Sequence, residues 1–219
     1  MTRPVLLLLV LVLPGVAAAQ EPATGAGSEW DFGTVLAPAA LPSGAMALYG
    51  YVGVPEMGAG FRQGISGFEV EARARLDYFR LSGLFEVGAR REVWRKGPAA
   101  LAPTLGLGLV LNSGSAYLDA DNFGGVLLRI VPGLVVSWRV AETVAVVGLL
   151  DVPVDLGLSP TGARRLQALT GGGAEVYLGS GISLLVAGKL GVESFKAPDK
   201  AAVTRPGYQV LLGVGTRLF

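Results

Sequence analysis

Strict alternation between polar and apolar residues limits most strongly what this chain can fold into, and residues 68–78 show it most clearly. They read FEVEARARLDY, in which every charged residue occupies one side of the alternation and the apolar residues occupy the other. Side chains that repeat with a period of two point to opposite faces of an extended strand. The pattern therefore predicts a β-strand with one charged face and one apolar face.

The same alternation recurs in three later segments, residues 101–112, 182–193 and 208–218. In each of them apolar residues such as Leu107 or Val186 alternate with small or polar ones. These segments are longer than the roughly five or six residues that are usual for strands of soluble proteins. They match the roughly 9–11 residues that a tilted strand needs to cross a lipid bilayer.

Turn-forming residues divide the rest of the chain into further strands. Short turns are predicted at 141–143 and 179–181, and longer polar loops at 112–123, 155–171 and 195–206. Short turns on one side and long loops on the other are typical of outer-membrane barrels. We therefore predict an all-β fold, a closed antiparallel up-and-down transmembrane β-barrel of ten strands, with eight as the alternative if the first two do not form a hairpin. The predicted strands are 46–54, 57–63, 67–79, 82–93, 100–111, 124–140, 143–154, 172–179, 181–194 and 207–219.

The N-terminal residues carry the pattern of a secretory signal peptide. Arg3 precedes an unbroken apolar run over residues 5–13, and Ala17 and Ala19 form a small-residue cleavage pattern. The run is too short to span a bilayer as a helix, which takes about 20 residues. We predict cleavage after Ala19, with an uncleaved anchor as the alternative. The predicted organisation is a signal peptide at 1–19, a periplasmic N-terminal linker at 20–44 and an outer-membrane barrel at 45–219.

Composition excludes several classes of protein. The 219 residues include 18 Lys and Arg, 17 Asp and Glu, no His and no Cys, and 51% of them are hydrophobic. Disorder requires low hydrophobicity, and a net charge of +1 leaves no cationic surplus for nucleic acid. Without Cys or His the chain lacks thiolate and imidazole metal ligands and the commonest catalytic base. We therefore expect no nucleic-acid partner, no metal and no cofactor.

The distribution of charge indicates which face of the strands meets lipid. A soluble lipocalin-like barrel would show the same alternation with its apolar residues inside. Only 16% of the residues are charged, against about 25% in soluble domains, which favours lipid on the outside. The charges of the polar face have mixed signs, so they can pair within a narrow lumen, as buried charges must. The predicted lumen-lining network comprises Glu69, Glu71, Arg73, Arg75, Asp77, Glu86, Arg90, Arg129, Arg139, Glu175, Lys189, Glu193 and Arg217.

The last predicted strand supplies the most specific family signal. Residues 208–219 read YQVLLGVGTRLF and end in an aromatic residue. Together with the signal peptide and the alternating strands, this end resembles the small single-chain β-barrel proteins of bacterial outer membranes, where a terminal aromatic looks like the signal for the barrel-assembly machinery. The resemblance implies the outer membrane of a Gram-negative bacterium, with lipid, lipopolysaccharide and envelope proteins as partners. Barrel enzymes of that membrane rely on a His that this chain lacks, so we predict no enzyme.

Other groups of residues allow both a functional and a plain structural interpretation. Residues 119–122, Asp-Ala-Asp-Asn, offer oxygen ligands for Ca²⁺ but lack the distal Glu of a calcium loop, which favours a solvated loop. The carboxylates of Glu69 and Glu71 could perform acid–base chemistry, but the arginines beside them favour ion pairing. Basic residues predicted in outer loops, where they could meet lipopolysaccharide phosphates or be solvated, are Arg164, Arg165, Lys196, Lys200 and Arg205. Aromatic residues predicted to form interfacial girdles, with core packing as the alternative, are Trp94, Trp138, Tyr177, Phe195 and Tyr208.

These features favour a barrel with a mostly filled, ion-paired interior that acts as a structural or docking component of the envelope. Wide aqueous pores appear only at about 16–18 strands. A narrow channel for small or apolar solutes is the first alternative, and a secreted soluble lipocalin-like binding barrel is the second.

Overall fold

A computed structural model of the chain describes residues 34–115, 118–119 and 121–218. The predicted signal peptide, the first part of the predicted linker and Phe219 lie outside the described residues. No helix in the described part of the chain is long and apolar enough to cross a membrane. The strands are β1 (Met46–Val54), β2 (Glu56–Ile65), β3 (Phe68–Asp77), β4 (Ser82–Arg90), β5 (Trp94–Lys96), β6 (Ala99–Ser113), β7 (Gly124–Ala141), β8 (Val144–Asp151), β9 (Val154–Ser159), β10 (Arg164–Gly179), β11 (Ile182–Lys196) and β12 (Val203–Arg217).

The twelve strands form one closed antiparallel barrel with ten strand positions. The ring closes where β1 pairs with β12, from Ala47 opposite Arg217 to Val54 opposite Val210. Both β4 and β5 pair with β6, so together they fill one position. Likewise β8 and β9 both lie between β7 and β10 and fill one position. Twelve strands less these two interruptions give the ten positions predicted from the sequence, and the prediction of a closed up-and-down barrel is confirmed.

The apolar face of the strands points outward. Val70, Leu107 and Val186 are 39%, 48% and 57% exposed, whereas Glu69, the residue before Val70, is wholly buried. The predicted assignment of the two faces is therefore confirmed, and the soluble-barrel alternative, with apolar residues inside, is wrong. Closure explains how such a surface can meet lipid, because the backbone N–H and C=O groups of the barrel strands bond to one another within the wall.

The two ends of the barrel differ in the length of their connections. At one end, here called the turn end, the connections are two residues long, as at 66–67. There Ser66 and Gly67 have positive φ angles of 45° and 82°, the geometry of the tight hairpin turns that match strand twist. At the opposite loop end the longest connection covers residues 114–123. The predicted alternation of short turns and longer loops holds in the second half of the chain, whereas β1 and β2 are joined at the loop end by Pro55 alone. Both ends of the barrel sequence lie at the turn end.

One predicted loop is wrong, because residues 155–171 are mostly strand. Strands β9 and β10 occupy this stretch, and only residues 160–163 connect them. Its polar residues Asp155 and Arg165 are buried and point into the lumen. The polar residues of the stretch therefore belong to lumen-facing strands rather than to a loop. The prediction failed because a lumen-facing strand and a polar loop have the same local composition. The predicted loop at 195–206 is shortened for the same reason, since β11 ends at Lys196 and β12 begins at Val203.

Residues 34–44, which we call the plug segment, fold into the lumen at the turn end. Ala37 and Ala39 are wholly buried and belong to two apolar clusters with inner-face residues of the wall. The predicted periplasmic linker at 20–44 is therefore wrong for this part of it. Small apolar residues that are typical of a linker also fit a narrow lumen, so composition alone does not separate the two.

Glycines of the wall leave the space that the plug segment occupies. A Cβ atom on Gly215 would lie 2.4 Å from Oγ1 of Thr34, and one on Gly64 would lie 1.9 Å from the carbonyl oxygen of Pro42. Either distance is too short for a real side chain. The absence of a Cβ at these two positions is thus a requirement of the close approach between plug and wall.

Candidate functional site: the occupied lumen

Glu175, on β10 near the turn end, binds the start of the plug segment. Its Oε1 accepts hydrogen bonds from the backbone N–H groups of Thr34 and Val35, and its Oε2 from those of Leu36 and Ala37, at 2.5–2.8 Å. The hydroxyl of Ser183 donates to Oε1 at 2.7 Å. A buried carboxylate needs such compensation, and four consecutive amides provide it. One charged side chain of the wall therefore holds the start of the plug segment, residues 34–37.

A second buried acid holds the other half of the plug. Arg62 donates to Glu69 from Nε and Nη2 at 2.8 Å each, and the Nη atoms also bind the carbonyl oxygens of Thr34 and Pro38. Glu69 accepts a further hydrogen bond from the N–H of Leu41 at 2.6 Å. Because the carboxylate of Glu69 is wholly buried and engaged on both oxygens, the arrangement favours ion pairing over acid–base chemistry.

The middle of the lumen is crossed by a continuous network of charges. Arg90 bridges the carboxylates of Glu69 and Glu71, at 3.0 Å and 2.8 Å. Farther along the same face, Glu86 pairs with both Arg73 and Arg75, the latter at 2.9 Å. These residues come from β3 and β4, where cross-strand neighbours place opposite charges side by side.

Further pairs link the remaining strands to this network. Arg75 also reaches Glu56 on β2 at 3.1 Å, and Lys189 on β11 binds Asp151 on β8 at 2.7 Å. Tyr51 donates to Glu56 at 3.0 Å, and Tyr49 donates to Glu71. The space left between these side chains consists of small cavities, of about 80 Å³ toward the turn end and about 70 Å³ toward the loop end. Side chains of the described residues thus cross the middle of the lumen and line these two cavities.

At the loop end, Asp119 from the longest connection closes over two arginines. It accepts hydrogen bonds from Arg80 at 2.8 Å and from Arg205 at 2.9 Å and 2.5 Å. Both arginines also bind Glu193 on β11, at 2.6 Å and 3.1 Å. The hydrogen bonds from Arg205, together with those from Arg80, hold the pKa of Asp119 well below its usual range despite the opposing effect of desolvation. Asp119 is therefore ionised at neutral pH and anchors its loop.

One cross-strand row has more positive than negative charge. Arg129, Asp155 and Arg165 are adjacent on β7, β9 and β10. Arg129 donates to both oxygens of Asp155, at 2.6 Å and 2.7 Å. The nearest approach of Arg165 to the same carboxylate is 3.7 Å, which is too long for a hydrogen bond.

The charged residues assigned to the lumen from the sequence occupy inner-face positions of the barrel strands. Most of them form the pairs described above, while Arg139 and Arg217 lie half-buried at the turn end, away from the central network. The alternation did not single out several other members. Arg62 lies on β2, whose other inner positions are Glu56 and three glycines, and Asp155 and Arg165 lie in the stretch predicted as a loop. The members missed from the sequence are Tyr49, Tyr51, Glu56, Arg62, Arg80, Asp119, Asp151, Asp155, Arg165, Arg205 and Gln209.

The outer-loop basic residues separate into two groups. The prediction that Arg165 and Arg205 lie in outer loops, in contact with lipopolysaccharide or solvated, is wrong, because both lie on strands and face the lumen. Arg164 and Lys200 are exposed at the loop end. Among the residues that the structure describes, no group of three His, Cys, Asp or Glu side chains could hold a metal ion, and the carboxylate of Asp119 is taken by arginines.

The aromatic residues also separate by face. Trp94, Trp138 and Tyr208 are exposed on the outer surface, as interfacial side chains should be. The prediction is wrong for Tyr177, which packs against a core cluster inside the barrel, and for Phe195. The ring of Phe195 is buried beneath the guanidinium of Arg205, 4.7 Å from its centroid.

No protein-family model and no curated protein matches the chain. Among solved structures the chain is similar to a KdgM porin in complex with disordered oligogalacturonate, at 8% identity and a TM-score of 0.44, over 78% of this chain and 98% of that one. A second KdgM porin structure is similar at 10% identity and a TM-score of 0.35, with the same coverage. Both likenesses are too distant to carry an argument about function. The closed antiparallel ring, the outward apolar face and the polar lumen of the structure itself show that the chain has the fold of a small outer-membrane β-barrel.

Proposed function

We propose that this protein is an integral outer-membrane barrel of a Gram-negative bacterium and acts as a structural or docking component, without catalytic activity. The observation that carries the proposal is the occupied lumen. The plug segment lies in the turn end, the network around Glu86 crosses the middle, and Asp119 closes over Arg80 and Arg205 at the loop end. Such a barrel presents a rigid scaffold rather than a path for solutes.

The partners proposed for this role follow from the two surfaces. The outer face, with side chains such as Phe85 and Leu190 fully directed outward, would contact the lipid chains of the membrane. We place the turn end in the periplasm and the loop end outside the cell. Arg164 and Lys200, both exposed at the loop end, would then meet lipopolysaccharide phosphates, and the loops would offer the surface for an envelope protein.

Conductance across a planar bilayer tests the occupied lumen. We expect the refolded barrel to give no steady, reproducible openings at moderate voltage. Such openings would contradict the proposal that the lumen is closed to solutes. Folding is established in the same sample by gel mobility before and after boiling in detergent, because a folded barrel migrates differently from the boiled chain. Fractionation of envelopes tests the location, and recovery of the protein in the soluble periplasmic fraction would contradict it.

A narrow channel for small solutes is the second candidate, and the way in which the plug is attached favours it. The plug segment is held by hydrogen bonds with a few side chains, chiefly Glu175 and Glu69, which accept from its N–H groups, and Arg62, which donates to its carbonyl oxygens. A cavity of about 240 Å³ already lies between Pro38 and Pro42 of the plug and Arg139 of the wall. Openings that are absent from the unaltered protein but appear in Glu175→Gln would support a channel that the plug closes.

A further inference from the structure

Arg165 is a buried guanidinium that forms no hydrogen bond with a carboxylate of the described residues. Its side chain is 4% exposed, and among the described residues its Nε has no hydrogen-bond acceptor. The nearest carboxylate belongs to Asp155, 3.7 Å from Nη1. Both oxygens of that carboxylate already accept hydrogen bonds from Arg129. One acid therefore lies between two arginines and neutralises only one of them.

The other acids of the region are also engaged. Asp77 accepts hydrogen bonds from the backbone N–H groups of Phe79 and Arg80 and from the guanidinium of Arg80. Glu193 binds Arg80 and Arg205 through one oxygen and Gln167 through the other. Neither carboxylate makes a hydrogen bond to Arg165, so the guanidinium keeps hydrogen-bonding capacity that these two acids do not use.

Arg165 borders the cavity of about 70 Å³ in the loop-end half of the lumen, here called the upper cavity. Its charged lining comprises six basic side chains against three acidic ones, Glu56, Asp77 and Asp151. Ser82 and Gln209 add neutral hydrogen-bond donors to the same wall. The basic lining residues are Arg73, Arg75, Arg80, Arg129, Arg165 and Lys189.

A buried charge is tolerated when it is paired and hydrogen-bonded. We propose that the upper cavity binds a small monovalent anion, a halide or a carboxylate of the size of formate, with Arg165 as its principal ligand. The anion would accept hydrogen bonds from the guanidinium that Asp155 does not satisfy and would neutralise the excess charge of the row. The volume admits an ion of this size and excludes a sugar or a phosphorylated metabolite.

The site is independent of the proposed structural role, because a channel could contain it as well. Its effect on the barrel follows from mass action, since a ligand that binds only the folded state stabilises it. A bound anion would tie β10 to the network of the neighbouring strands. Stability of the barrel should therefore depend on which anion is present and not only on ionic strength.

Anomalous scattering from bromide provides the direct test. Crystals of the folded barrel grown in bromide should show a peak within hydrogen-bond distance of the Arg165 guanidinium. The peak should be lost in Arg165→Gln and kept in Arg164→Gln, the matched control in which the neighbouring exposed arginine is changed. The proposal would be overturned if no peak appeared in the upper cavity. It would also be overturned if peaks appeared only at the protein surface, which would indicate an adventitious ion only.

Thermal unfolding gives a second measurement that does not depend on crystals. At constant ionic strength, replacing gluconate, which is too large for the upper cavity, by chloride should raise the unfolding midpoint of the unaltered barrel by about 3 °C. Arg164→Gln should keep this rise and Arg165→Gln should lose it. If Arg165→Gln does not fold, the unaltered protein still decides the question, because equal midpoints in the two salts contradict an anion site.

Discussion

Arg62 and Glu69 form a two-point ion pair in which both side chains are wholly buried, with Nε–Oε1 and Nη2–Oε2 distances of 2.8 Å. The two residues are diagonal neighbours on β2 and β3, since Glu69 lies opposite Gly64 and Arg62 lies opposite Glu71, and each also binds the backbone of the plug segment. The pair thus joins two functions in one contact. It neutralises two charges that are buried away from water, and it binds the plug segment to the wall.

Removing Arg62 should destabilise the barrel strongly. In Arg62→Met the carboxylate of Glu69 stays buried with Arg90 as its remaining charged partner, and breaking a buried pair costs about 3–5 kcal/mol. The free energy of unfolding, measured by urea titration of the barrel in lipid vesicles, should fall by an amount in this range. The control is Arg95→Met, which removes the more exposed pair with Glu92 and should change it by less than about 1 kcal/mol. Equal losses in the two variants would refute the buried pair as a main support.

Neutralising Glu175 should release the plug segment. In Glu175→Gln one of the two oxygens becomes an amide group, which cannot accept from the N–H groups it faces. A hydrogen bond to a charged group contributes about 1.5–3 kcal/mol, and each 1.4 kcal/mol corresponds to about tenfold in an equilibrium. A thiol introduced as Ala40→Cys, unique because the chain has no Cys, should therefore be labelled at least about tenfold faster. The control change is Glu142→Gln in an exposed turn, and an unchanged labelling rate in Glu175→Gln would show that other contacts hold the plug.

Filling the space beside the plug should displace it without unfolding the wall. Gly215→Val places a side chain where its Cβ alone would lie 2.9 Å from Cγ2 of Val35 and still closer to Thr34. We expect faster labelling of the same introduced thiol, with heat-dependent gel mobility retained, since overpacking typically costs about 1–3 kcal/mol. Gly83, where an added Cβ meets nothing within 4 Å, is the matched control as Gly83→Val. Slow labelling in both variants would mean that the plug adapts to the added volume.

The loop that carries Asp119 should loosen in acid. Its carboxyl pKa is held below the ordinary value by Arg205 and Arg80. The stabilisation that the ionised Asp119 gives to the folded loop is therefore complete above the unfolded-state pKa of about 3.9. This stabilisation is lost as the pH falls from there toward the folded-state pKa. A spin label introduced at Asp121→Cys should be immobile at pH 7 and become mobile well below pH 4. Adding Asp119→Asn should make the label mobile at both pH values, and a pH response that survives this substitution would assign the transition to another group.

Local pattern was sufficient for the architecture. The alternation in residues 68–78 sets the lipid side of β3 because a period of two leaves no other way to segregate Val70 from Glu69. The length of such segments and the spacing of turns then indicated ten strands and closure. These predictions did not require the pairing of the strands, because the sequence of each strand alone shows which of its faces is apolar.

The arrangement inside the lumen could not be obtained in this way, because it depends on register and on contacts between residues far apart in the chain. Asp155 and Arg165 have the same local polarity in a loop as on a lumen-facing strand. The plug residues around Ala37 have the composition of a flexible linker, and contacts with distant residues, such as the carboxylate of Glu175, 138 residues away, make them a buried part of the barrel. The alternation in the sequence indicates which residues face away from lipid. The pairing of charges depends on the closed barrel, which brings residues from distant parts of the sequence together.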